Sequence, residues 1–135
     1  GLGAPVGSVL CGDAELIGRA RRLRKMVGGG MRQAGGLAAA ALYALDHQVE
    51  RLAEDHANAE ALGRGLAELG YAIEPVQTNM VYVGIGEQAG ALGAHLAERG
   101  IRVSPAARLR LVTHLDIKSA DIPAIVEAFA AFRRS

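Results

Sequence analysis

The sequence predicts an α/β chain, and three observations carry that reading. A glycine-bounded apolar run is followed at once by an amphipathic helix. A long segment without proline then shows helical periodicity. After Gly70 the pattern changes to short β-rich runs alternating with helices, in the order ββαββα. The expected organisation is uneven. Residues 1–35 read as the last strand and helix of a larger α/β domain. Residues 36–70 read as a long interdomain helix, and residues 71–135 as a small α+β domain.

The first element is "VGSVLCG", Val6 to Gly12, a short apolar run expected as a buried strand in a sheet covered on both faces. Asp13 follows in N-cap position, with Glu15 in the first turn, and both suit the positive end of a helix. That helix places Leu16, Ile17, Ala20, Leu23 and Val27 on one side and ends at Gly28–Gly30. From about Met31 to Leu69, Leu42, Leu45, Val49, Leu52, Ala59, Leu62, Leu66 and Leu69 recur at threes and fours, with His56 on the same stripe. Unbroken, such a helix would be roughly 50 Å long, a strut suited to connecting two domains. Gly70 is the expected C′ residue.

Beyond it, "YAIEPV" and "NMVYVGI" read as strands and "EQAGALGAHLAERG" as a helix closed by Gly100. "IRVSPA" and "LRLVTHL" read as two more strands. "SADIPAIVEAFAAFRR" reads as a final helix capped by Ser119, with Pro123 in or near its first turn. That order predicts one antiparallel sheet with helices on one face.

Composition narrows the function classes. The formal net charge is +1 and aromatics are 4% of the residues, which argues against a nucleic-acid or membrane-surface binder. The one cysteine, Cys11, permits neither an internal disulfide nor a zinc cluster, and it reads as a small buried hydrophobe. No stretch reaches the roughly 18 apolar residues that span a bilayer. The expected location is the cytoplasm, although a chain beginning at Gly1 is expected to be the later part of a longer protein.

Two stretches can carry chemistry. In the first, "RRLRKMVGGGMRQAGG", five of the seven residues from Arg19 to Lys25 are basic. A solvated helix face explains most such runs, and no aromatics interleave as nucleic-acid binding would require. More specific are Lys25 and Arg32, which flank the glycine triplet. Glycines let backbone approach a ligand, and the start of the next helix offers unsatisfied N–H groups. A phosphate suits that combination of point charge, planar fork and helix start.

The second stretch is "RLRLVTHLD", Arg108 to Asp116. On a strand Arg108 and Arg110 share one face. A salt bridge to a nearby acid and a fork for a substrate carboxylate are both open to Arg110. His114 and Asp116 are spaced as in a turn more than as an acid–base pair. His47, His56 and His95 lie on helices without metal-ligand spacing, so no metal is expected. Ser8 is not in a nucleophile elbow.

Taken in order, "GLGAPVGSVLCG", "RRLRKMVGGGMRQAG", "TNMVYV" and "RLVTHLD" resemble the low-specificity L-threonine aldolase family over essentially the whole chain. Where many members carry Trp in the basic helix, this chain has Leu23, at a position without chemistry. The resemblance implies the C-terminal part of a pyridoxal-phosphate (PLP) enzyme of fold type I, the aspartate-aminotransferase-like fold. It also implies that a Schiff-base lysine stands just before Gly1, so no catalytic residue is expected within the chain. Arg32 and Lys25 then resemble residues at the phosphate end of PLP, and Arg110 the arginine that grips the substrate carboxylate. The implied reaction is cleavage of L-threonine or L-allo-threonine to glycine and acetaldehyde. The implied partners are a small amino-acid substrate, the N-terminal part of the same enzyme and further copies in a homodimer or homotetramer. A catalytically inactive fragment or interaction piece is one alternative. Another is a different fold type I lyase, such as a β-eliminating lyase, but "GGGMRQ" and "RLVTHLD" favour the aldolase.

Overall fold

A computed structural model describes residues 1–134. They form a mixed helix-and-sheet structure in two compact units. One comprises residues 2–49, and the other comprises Gly1 with the residues from Glu50 onward.

In the first unit, α1 (Ala14–Met26) and α2 (Gly35–His47) are joined by the glycine turn. Asp13 caps α1 as expected, its Oδ1 accepting from the Leu16 N–H at 2.7 Å. Residues 6–12, expected as a buried strand, form no ladder, and Val6, Val9 and Leu10 are exposed. A strand needs neighbours for its N–H and C=O groups, and none of the described strands pairs with this segment. Cys11 is consequently exposed rather than buried. No residue of α1 is buried either: an amphipathic stripe is hidden only when another layer lies against it.

The expected strut from 36 to 70 is two helices. α2 ends at His47, and α3 (Leu52–Glu68) begins after a turn in which the Ala53 and Glu54 N–H groups bond three residues back, to Glu50 and Arg51. The stripe changes with the break. Leu42, Leu45 and Val49 are exposed, whereas Ala59, Leu62 and Leu66 are buried. On α3 the buried partner of that stripe is Asp55, and His56 is exposed. Gly70 ends α3 with φ +81°, a left-handed value that costs glycine nothing, and Tyr71 N–H reaches back to the Leu66 carbonyl.

The sheet has three antiparallel strands in the order β1 (Ala72–Ile73), β2 (Met80–Gly84), β3 (Arg108–Val112). Between β2 and β3 lies α4 (Ala89–Ala97), and α5 (Ile122–Arg134) closes the chain. The expected strand at 101–106 is absent. Pro105 has no N–H to donate, and its ring sits where a β carbon on Gly93 would be, at 2.5 Å. Ile101 and Val103 still pack on the core. Ser119 is not the cap of the last helix. It begins a 3-10 turn, Ser119–Asp121, whose Asp121 Oδ2 accepts the Lys118 N–H at 2.9 Å.

Alternation along β2 and β3 sends Val81, Val83, Leu109 and Leu111 inward. There they meet Leu62 and Leu66 of α3, Leu92 and Leu96 of α4, and Ile122 and Phe129 of α5. Because α3 shares this core, the compact units divide at 49/50 rather than at the expected 70/71. The opposite sheet face, with Tyr82, Arg108 and Arg110, is left open to carry polar chemistry. Among the described residues no helix is long and apolar enough to cross a membrane.

Candidate functional site

In the first unit the candidate site is the glycine turn. The end of α1 is tied by Gly28 N–H to Lys25 C=O at 3.1 Å and by Gly29 N–H to Arg24 C=O at 2.7 Å. Gly28 has φ +81°, and a β carbon on Gly29 would stand 2.9 Å from the Arg24 carbonyl oxygen. Those two positions therefore require glycine. At Gly30 a β carbon would lie 3.5 Å from Lys25 Nζ, so the ammonium is folded over the turn. Arg32 is exposed, and the next residue, Gln33, holds φ 54°. α2 then begins behind Ala34 with no side-chain cap on its N–H groups. Among the described residues neither Lys25 nor Arg32 forms an ion pair. Two uncommitted cations, an uncapped helix start and a turn free of side chains fit a phosphate group.

In the second unit the candidate residue is Arg110 on β3. Its neighbour on the same face, Arg108, is committed. The Nε and Nη2 of Arg108 donate to the two Glu74 carboxylate oxygens at 2.6 and 2.7 Å, and its guanidinium lies 3.7 Å from the centre of the Tyr82 ring. Arg110 stands opposite Tyr82 in the register. It is exposed and has no ion pair among the described residues. It borders a cleft of about 360 Å³ that Arg102, Ser104, Thr113 and His114 also line. An unpaired fork at such a cleft can take a carboxylate in two parallel N–H···O bonds.

Three of the four histidines have other engagements. His114 Nδ1 accepts the Asp116 N–H at 3.3 Å, and the Ile117 N–H reaches the His114 carbonyl at 2.7 Å, so His114 and Asp116 form a tight turn. His47 stacks on Tyr43 with ring centres 4.1 Å apart. His95 Nε2 lies 3.0 Å from the Ala128 carbonyl. Among the described residues no three His, Cys, Asp or Glu side chains gather as a metal set.

Sequence reasoning missed a buried polar network. Asp55 is 1% exposed, and its carboxylate receives Arg51 Nη1 at 2.6 Å and Nη2 at 3.0 Å. Thr113 Oγ1 donates to the Asp55 carbonyl at 2.6 Å, and Asn79 Nδ2 to the Thr113 carbonyl at 2.8 Å. Asn58 Nδ2 donates to the Ile117 carbonyl at 3.0 Å. The one available signal was the Arg51/Asp55 spacing of four on a helix.

Comparison with known proteins gives four findings. The sequence profile of the beta-eliminating lyase family matches residues 1–88. Low specificity L-threonine aldolase of Escherichia coli (strain K12) is 46% identical over 98% of this chain and 40% of its own length. Low-specificity L-threonine aldolase 1 of Arabidopsis thaliana is 38% identical over 96% of this chain and 38% of its own length. Among solved structures, a candidate aminotransferase of Burkholderia pseudomallei superposes with a TM-score of 0.67 at 24% identity. That match covers 89% of this chain and 38% of the other.

Proposed function

Because this chain belongs to the beta-eliminating lyase family, we propose that it is part of a PLP-dependent lyase that cleaves L-threonine and L-allo-threonine to glycine and acetaldehyde. The observation that carries this reading is the 46% identity to a threonine aldolase over 98% of the chain. The chain spans about 40% of that relative's length, so the activity belongs to a protein that contains more than these residues.

Each part of the chain has a role in this reading. Lys25, folded against the glycine turn, sets a point charge beside the cofactor phosphate, and Arg32 adds a planar fork. The start of α2 contributes backbone N–H groups to the same anion. The lysine that the resemblance implies immediately before Gly1 would hold the cofactor. When bound, the pyridoxal ring supplies an electron sink for the bond that breaks. Arg110 binds the substrate carboxylate through both arms of its guanidinium and thereby fixes the rotation of Cα–Cβ. Arg108, tied to Glu74, keeps the sheet surface beside it in place. The protein works in the cytoplasm as a homodimer or homotetramer. The exposed apolar residues Leu42, Tyr43 and Leu45 of α2 suit burial in such an assembly.

The test is steady-state threonine cleavage by the complete protein carrying Arg110→Lys. A charged, bidentate contact is worth about 1.5–3 kcal/mol, so kcat/KM falls about ten- to a hundred-fold, with KM raised and kcat lowered. Unchanged kinetics would remove Arg110 from the carboxylate role.

A further inference from the structure

The Arg51–Asp55 pair is unexplained by the phosphate turn and by the carboxylate fork. Its geometry reaches beyond α3. Besides its two bonds to the Asp55 carboxylate, Arg51 donates from Nη2 to the Gly1 carbonyl at 2.8 Å, fifty residues away in sequence. Asp55 is held in turn, because its own carbonyl accepts from Thr113 Oγ1 at 2.6 Å. The Thr113 N–H donates to the Asn79 carbonyl at 3.0 Å, and the Asn79 amide returns a bond to the Thr113 carbonyl at 2.8 Å. Thr113 directly follows β3, three residues after Arg110. One connected set of hydrogen bonds therefore runs from the backbone at Gly1 to the strand that carries Arg110.

Burial gives this set its stiffness. Asp55 is 1% exposed and a lone carboxylate there would be unfavourable, so Arg51 is held to it by both arms. A planar fork gripped on one edge has a fixed direction for its remaining N–H groups, unlike a lysine ammonium on a flexible stem. The donor aimed at Gly1 therefore takes its direction from the buried Asp55 end of the pair, although the bond to Gly1 itself lies at the surface.

We propose that Arg51 is a positioning residue: anchored by Asp55, it fixes the backbone at Gly1 and hence the lysine one residue earlier relative to the Arg110 fork. This rests on the reading above that a cofactor-bearing lysine precedes Gly1. The two reacting ends of the substrate complex, the carboxylate and the amine, are then set from one network. Displacements of the order of 1 Å in such a geometry cost about a hundred-fold in rate.

The experiment uses the complete holoenzyme carrying Arg51→Lys, which keeps a cation for Asp55 but removes the fork. The expected result is a kcat lowered about ten- to a hundred-fold with KM for threonine little changed. The absorbance band of the covalently held cofactor also shifts, while total bound cofactor stays at the wild-type level. A wild-type kcat and band, with only the melting temperature lowered, would overturn the proposal. Should Arg51→Lys fail to fold, Thr113→Val decides. It keeps the shape and removes the bond to Asp55, and a lowered kcat at constant KM supports the proposal, whereas wild-type kinetics reject it. Borohydride reduction of the wild-type protein followed by peptide mapping separates the two levels. Cofactor fixed at any other lysine removes the functional reading and this inference together. Cofactor fixed just before Gly1, with Arg51→Lys behaving as wild type, removes this inference alone.

Discussion

Arg108 and Arg110 are two positions apart on one strand, and their partners differ. Arg108 is bound by both carboxylate oxygens of Glu74, and its hydrogen bond is the main cause that holds the Glu74 carboxyl below its ordinary range. A depressed pKa in the folded state gives stability that is present above the unfolded value and lost as pH falls through the folded one. Denaturant midpoints of the parent and Glu74→Gln should therefore differ at neutral pH and converge in acid. Tyr71 shows the opposite sign. Burial pushes its phenol up, with Arg133 nearby opposing that. Its contribution is complete below the ordinary tyrosine pKa of about 10 and is lost as pH rises through the raised value. Tyr71 Oη also donates to the Phe129 carbonyl at 3.1 Å. Tyr71→Phe should cost about 1 kcal/mol near neutrality and flatten the alkaline fall, as read from melting curves across pH.

At the scale of elements, the glycine turn and the break between α2 and α3 matter most. Gly29 and Gly30 are adjacent, but their surroundings are unequal. A β carbon at Gly29 meets the Arg24 backbone at 2.9 Å, whereas at Gly30 it meets only the flexible end of Lys25 at 3.5 Å. On the proposed phosphate role of this turn, Gly29→Ala in the complete protein should therefore weaken cofactor retention more than Gly30→Ala, as measured by equilibrium dialysis. The helix break has a different basis. Nothing in the propensities of residues 46–52 marks it, since no proline or glycine occurs there. It coincides with the residue whose side chain turns back to Asp55 and Gly1.

For the whole molecule, the main core lies within one unit. From Ala59 to Phe129 its buried side chains come from α3, the sheet, α4 and α5. The residues from Glu50 onward should thus fold when expressed without residues 2–49. Slow amide exchange at Val81, Val83, Leu109 and Leu111 would show it, and uniform fast exchange would refute it. Phe129, fully buried, is the most sensitive position, and Phe129→Ala should cost about 3–5 kcal/mol. Residues 2–49 instead expose Val9, Met26, Val27 and Met31. Such surface is typical of segments that pack on more protein, in keeping with a chain that spans about 40% of its bacterial relative.

The sequence by itself determined the elements whose information is local. The Asp13 cap, the stop at Gly28, the end of α3 at Gly70 and the inward alternation of Val81, Val83, Leu109 and Leu111 depend on backbone freedom and period. It also marked Lys25, Arg32 and Arg110 as chemically unusual, because basic groups beside glycines or within an apolar strand need a partner. Only the tertiary structure decided which arginine had found one inside the chain. It also decided that residues 6–12 and 101–106 form no ladder and that Asp55, not His56, turns inward. The reason is the same in each case: pairing and burial depend on groups distant in sequence, and a run of residues does not specify its neighbours in space.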